Sequence, residues 1–137
     1  CPPHWMAYKD KCYYISAPSE KLNFDETKEE CKNKTSTMLT IHNEEEQDWI
    51  RKQIAGKGYF WLGLTDTAEE NIWRWVDGTI PSFTNWKPGQ PDNWSHGHEE
   101  GEDCAGLIHD AKWNDFFCTD RNGYICQRPK EIQVPVL

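Results

Sequence analysis

A chain of 137 residues with 8 Trp, 5 Tyr and 5 Phe can build one self-supporting core and is short for two. Its formal charge of −8 speaks against nucleic acid and anionic membrane as partners, because phosphate binding needs basic stripes. The 6 cysteines, an even number with no CxxC pair, indicate three disulfides in an oxidising compartment rather than a zinc cluster or a redox centre.

In chain order, residues 1–15 combine Cys, Pro and aromatics and read as a short strand pair closed by a local disulfide. Asn23 with Glu26 three residues on forms a capping-box signal for a helix through Lys34 that carries Cys31 on one face. Asn43 with Glu46 repeats the signal for a helix to about Ala55, with Trp49, Ile50 and Ile54 buried and Gly56 and Gly58 ending it. Tyr59–Leu64 is an aromatic-rich apolar run suited to a buried strand. From Thr65 to Asp103 the chain is rich in Asp, Asn, Gly, Pro and Trp with little periodicity, and a loop of that length needs a function or a holder. Cys104–His109, Ala111–Cys118 and Gly123–Gln127 read as closing strands, with Asp120–Gly123 as a turn. Helices first and strands with loops afterwards make an α+β domain over residues 1–128. Residues 129–137 read as a frayed tail. No apolar run of about 18 residues exists to cross a membrane. A chain starting at Cys1, with no signal peptide, reads as a processed product or an excised domain.

Two short clusters carry the chemistry. Gln90-Pro91-Asp92-Asn93-Trp94 is followed by Glu102-Asp103-Cys104 and by Trp113-Asn114-Asp115. Between residues 90 and 115 there are seven acids and one lysine, a density that repels itself unless a cation neutralises it. Amide oxygens beside ionised carboxylates suit a hard, flexible cation such as Ca²⁺. The tryptophan among them adds a flat apolar surface, and the combination suits a sugar, with vicinal hydroxyls on one side and an apolar face on the other. A solvated acidic loop is the plain alternative, and the interleaved Trp and Cys argue against it.

The six cysteines, Trp61-Leu62-Gly63-Leu64, Gln90-Pro91-Asp92 and Trp113-Asn114-Asp115, in this order and spacing, resemble a C-type lectin carbohydrate-recognition domain across residues 1 to about 128. Cysteine spacing alone leaves the pairing open. The resemblance implies Cys1–Cys12, Cys31–Cys126 and Cys104–Cys118, the first bridge marking the long form of the fold, with two helices, small antiparallel sheets and a long calcium-binding loop region. It implies a principal Ca²⁺ site of Gln90, Asp92, Glu102, Asn114 and Asp115, with a cis bond at Pro91 turning the flanking oxygens to one side. Five protein ligands leave coordination for two sugar hydroxyls, which also bond to Gln90, Asp92, Glu102 and Asn114. Gln-Pro-Asp resembles the galactose-type arrangement, where Trp94 would lie against the C–H face of the sugar. The other tryptophans at 61, 73, 75, 86 and 113 read as core or scaffold. The loop from Ser95 to Gly101 departs from the glycine-rich loop of galactose-type members, and Glu99 and Glu100 add charge beside the site. His96 and His98 are read as solvated rather than as a zinc pair.

Asp66, Glu70, Asn93 and Asp103 match an auxiliary calcium site that would fix the loop. Asn43, Glu46 and Gln127 lie where some members hold a further ion, but Gln127 replaces an acid and none is expected. Asn33-Lys34-Thr35 is a glycosylation sequon on a helix end, whereas Asn93-Trp94-Ser95 would be shielded by calcium-dependent folding. The resemblance implies calcium-dependent binding of terminal galactose or N-acetylgalactosamine, including Lewis-type fucosylated epitopes, on glycoproteins or microbial surfaces. The implied parent is an extracellular scavenger or pattern-recognition receptor, at the cell surface as a membrane-receptor ectodomain or secreted, collagenous and trimeric through a stalk. A protein-binding module on the same fold is the alternative, and the presence of all five ligands disfavours it. A glycosidase reading fails because the acids sit among amides without a nucleophile motif.

Overall fold

The computed structural model describes residues 1–69, 72–90 and 103–130. Strands β1 (Met6–Tyr8) and β2 (Lys11–Ile15) form the expected N-terminal pair. Helix α1 (Phe24–Asn33) opens on a complete capping box, with the Asn23 side chain accepting from the Glu26 amide at 2.8 Å and Glu26 accepting from the Asn23 amide at 3.0 Å. Strand β3 (Thr37–Met38) follows, and then α2 (Glu44–Ile54).

The second capping signal holds only by half. Asn43 accepts from the Glu46 amide at 2.8 Å, but the Glu46 carboxylate turns away from the cap. It takes the His42 amide at 2.9 Å, the Tyr13 hydroxyl at 2.7 Å and the Lys11 ammonium at 3.1 Å. Burial is the reason, since Glu46 is 6% exposed and a carboxylate out of water needs donors. Ile50 and Ile54 are buried as expected, while Trp49 is half-buried and stacks on Tyr8. Gly56 and Gly58, both in left-handed backbone, end the helix.

The remaining strands are β4 (Phe60–Thr65), β5 (Arg74–Trp75), β6 (Cys104–Leu107), β7 (Trp113–Phe116) and β8 (Ile125–Pro129). They join two antiparallel sheets, β1-β2-β8-β3 and β5-β4-β6-β7, confirming the α+β class. β3 and β5 were not expected. At two residues each they carry no readable periodicity and exist because β8 and β4 pair with them.

The turn expected at Asp120–Gly123 lies earlier, where the Asp120 amide donates to the Phe117 carbonyl and its carboxylate accepts from the Phe117 amide. Asn122 and Gly123 instead bridge to Leu22 and Phe60. A Cβ on Gly123 would stand 2.9 Å from the Phe60 ring, so glycine serves close approach here rather than the turn. β8 runs through Pro129, and the Lys130 amide donates to the Asp10 carbonyl.

All three expected disulfides are formed, closing separations of 11, 95 and 14 residues. Chain entropy assigns about 3 kcal/mol to each short loop and about 4.5 kcal/mol to the long one. Between the sheets Trp61, Leu62 and Leu64 are fully buried. Gly63 sits among them because a Cβ there would lie 2.8 Å from the Leu39 carbonyl oxygen, which already accepts the Gly63 N–H. No helix among the described residues is long and apolar enough to cross a membrane.

Candidate functional site

β7 sets the site. Alternation along the strand buries Trp113 and Asp115 completely and leaves Asn114 and Phe116 half-buried. Register with β6 places Asn114 opposite Gly106 and Asp115 opposite Ala105. The Asn114 amide nitrogen donates to the Asp115 carbonyl at 3.0 Å, so Oδ1 is the end of the side chain open to a cation.

Trp113 is the post on which the approach to this strand is hung. Its indole donates to Gln47 Oε1 at 2.9 Å, and Gln47 in turn donates to the Ala111 carbonyl at 2.7 Å. Its backbone accepts from Lys87 and donates to Asn85, both at 2.9 Å, so Trp86 lies in a parallel bridge beside it. Beyond this bridge the chain runs on from Lys87 toward Gln90. There a turn through Gly89 at φ 88°, closed by the Gln90 amide on the Lys87 carbonyl, presents half-buried Gln90. Nothing in the sequence reading marked Gln47 as part of this arrangement. The available signal was an amide on the buried stripe with Ile50 and Ile54, a position where apolar residues are the rule.

The auxiliary group begins at the end of β4. Asp66 is 2% exposed, and its amide donates to the Asp103 carbonyl at 3.1 Å, extending the Thr65–Cys104 pair by one step. Asp66 and Asp103 are thus brought together beside the strand that neighbours β7. Pro91, Asp92, Asn93, Trp94, Glu102 and Glu70 lie outside the described residues.

The donor chemistry fits a hard divalent ion. Asp66 and Asp115 are carboxylates taken out of water, which requires compensating charge or hydrogen bonds. Carboxylates with the amides Gln90 and Asn114 form an all-oxygen set. Among the described residues no three His, Cys, Asp or Glu side chains gather as a metal group by themselves. The expected sites draw Asp92, Glu102 and Glu70 from beyond them.

The corner around Asn43 is committed to protein contacts. Glu46 holds Lys11 as described, and Gln127 accepts from the Thr40 amide at 3.0 Å while donating to the Thr40 hydroxyl at 2.8 Å. Nearby, burial and then the bond to Glu46 push the Tyr13 hydroxyl well above its ordinary pKa.

Comparison with known proteins gives a consistent result. The family described as Lectin C-type domain matches residues 20–128. Collectin-12 of Danio rerio is 59% identical over 137 residues, covering 100% of this chain and 16% of its own length. Asialoglycoprotein receptor 2 of Rattus norvegicus is 40% identical over 136 residues, covering 96% of this chain and 43% of that protein. The chain therefore spans less than half the length of these relatives. Among solved structures, the mouse scavenger receptor C-type lectin carbohydrate-recognition domain superposes with a TM-score of 0.89 at 47% identity, covering 98% of this chain and 100% of that one. The human counterpart gives 0.89 at 53% identity over 94% of this chain and 98% of its own.

Proposed function

Because the chain belongs to the C-type lectin domain family, as a carbohydrate-recognition domain like those of collectins and asialoglycoprotein receptors, we propose that it binds glycans ending in galactose or N-acetylgalactosamine through Ca²⁺. It is a binding module, not an enzyme. The observation that supports the reading is the pairing of residues 85–87 with Trp113, three residues before Gln90 on one side and one residue before Asn114 on the other.

Gln90, Asp92, Glu102, Asn114 and Asp115 would hold the ion, whose chemistry there would be to bind neighbouring sugar hydroxyls. The carboxylates of Asp92 and Glu102 accept from those hydroxyls, and the amides of Gln90 and Asn114 donate to them. Gln90 ahead of Asp92 puts the amide first and the acid second, the order that favours galactose over mannose. Trp94 covers the apolar C–H face left by an axial 4-hydroxyl. Asp66, Glu70, Asn93 and Asp103 would hold an auxiliary ion. Relatives named as receptors for asialoglycoproteins, glycoproteins without terminal sialic acid, support the same preference, and Lewis-type epitopes extend it.

One sugar on an open site binds at about millimolar Kd, near −4 kcal/mol. A trimeric, cell-surface scavenger receptor displaying several such domains extracellularly raises this by roughly 10²–10⁴ through avidity.

The test is retention on immobilised galactose with calcium, in chelator, and for the Gln90→Glu/Asp92→Asn double variant. Retention is expected with calcium, is lost in chelator and at endosomal pH, where protons compete with calcium for ligands that must be ionised, and moves toward mannose in the double variant. Asp115→Asn is expected to lose calcium uptake by calorimetry. Undiminished retention in chelator would refute the reading.

A further inference from the structure

The C-terminal end of α1 combines a sequence motif with a backbone anomaly. Asn33 is the last helical residue, Lys34 is the C-cap, and Thr35 reverses the chain at φ 56°. The reversal is closed by the Thr35 amide on the Lys32 carbonyl and the Ser36 amide on the Cys31 carbonyl, both at 2.9 Å. Glycine or asparagine suits that position, and a β-branched residue there is strained. Burial does not offset the strain, because Thr35 is exposed to solvent, as is Asn33. A threonine that strains the backbone and faces water contributes something other than packing.

Asn-x-Thr is the acceptor pattern for N-linked glycan transfer, in which the hydroxyl two residues on is required. We propose that Asn33 carries an N-linked glycan and that Thr35 occupies its strained position as the hydroxyl that licenses the transfer. Asn33 Nδ2 forms a bond to the anomeric carbon of an oligosaccharide donated from a lipid pyrophosphate. The C–O bond to the donor breaks, the lipid pyrophosphate leaves, and the amide gives one proton to a base of the transferring enzyme.

Two further features favour the reaction. Three disulfides place the chain in the oxidising compartment where this transfer occurs. Cys31 must also wait for Cys126, 95 residues later, and β3 must wait for β8. The sequon therefore emerges well before the corner around it can close. In the folded chain α1 packs on β3, in the first sheet, so a glycan at Asn33 leaves β7 of the second sheet open.

The experiment is secretion of the full chain from eukaryotic cells, with electrophoretic mobility before and after enzymatic deglycosylation and mass mapping of the Asn33 peptide. Wild type is expected to shift on deglycosylation, with Asn33 converted to Asp. The shift is lost in both Asn33→Gln and Thr35→Gly. Thr35→Gly also relaxes the left-handed residue, so its melting temperature is expected to equal or exceed that of deglycosylated wild type. Secreted, disulfide-bonded wild type with Asn33 unmodified overturns the proposal, as does conversion of Asn33 to Asp persisting in Thr35→Gly; any residual shift with Asn33 unmodified is assigned by mapping to Asn93. Galactose retention is read separately and stands or falls independently of this result.

Discussion

Replacing Gly63 by alanine tests the account of how β4 is held between the sheets. The added Cβ would lie 2.8 Å from the Leu39 carbonyl oxygen, 3.0 Å from the Met38 Cβ and 3.4 Å from a Val76 methyl. Ordinary contact needs several tenths of an ångström more, and the crowded oxygen is backbone that cannot rotate away. The same oxygen accepts the Gly63 N–H at 2.8 Å, and the Gly63 carbonyl accepts from Val76 at 2.9 Å. Moving apart therefore stretches hydrogen bonds as well as packing. Overpacking of this kind costs about 1–3 kcal/mol and a weakened buried hydrogen bond about 1 kcal/mol more. A net loss of about 2–3 kcal/mol lowers the melting temperature of a domain this size by roughly 6–15 °C. Gly56→Ala is the control, since nothing lies within 4 Å of its added Cβ and only the left-handed backbone at φ 74° resists it. Its expected cost is about 1 kcal/mol. Thermal melts followed by circular dichroism read both. Equal stability of Gly63→Ala and wild type, or a larger loss at Gly56, would refute the close-approach argument.

Glu46→Gln removes the charge that gathers Lys11, Tyr13 and the His42 amide, and is expected to cost about 2 kcal/mol in urea unfolding. Lys11→Met leaves the other two donors in place and is expected to cost less, about 1 kcal/mol after solvent screening; the reverse order contradicts the scheme. In acid, Glu20 accepts from the Ala17 amide, the largest influence, and from the Tyr14 and Tyr124 hydroxyls, which together hold its carboxyl below the ordinary 4.5. Its contribution is present above about pH 4.5 and is lost as pH falls through the lower folded value. In alkali the sign is opposite. Burial, then the bond to Glu20, raises the Tyr124 pKa, so its contribution is full below pH 10.0 and fades as pH rises. Tyr124→Phe is expected to lessen the alkaline loss of stability in denaturation midpoints measured against pH, and an unchanged alkaline limb would contradict it.

What the sequence revealed depended on whether the signal was local. Asn23 and Glu26 announced α1 because a capping box is complete within four residues. The run around Trp61 announced β4 because its burial is written in its own side chains. β3 and β5 were illegible because two residues have no period, and Thr37 and Arg74 are strand only through Gln127 and Thr65. Glu46 read as a cap partner because the sequence does not show that Tyr13 and Lys11 converge on it from β2. The disulfide pairing became legible through family resemblance, not spacing. At the site, Asn114 and Asp115 were visible as a motif, but the support beneath them was not. Gln47, Asn85 and Lys87 act through Trp113 by backbone and amide bonds that leave no pattern in sequence.

Trp113 also gives the molecule an optical property. Its ring lies 5.5 Å from Trp75 and 5.7 Å from Trp86, which in turn lies 5.0 Å from Trp73. Indoles this near share their electronic excitation, so the near-ultraviolet circular dichroism of the four is a collective signal rather than a sum of separate rings. Because two of them, Trp86 and Trp113, lie in the paired segments that precede Gln90 and Asn114, a rearrangement of that region can be followed without a label, from the molecule's own chromophores.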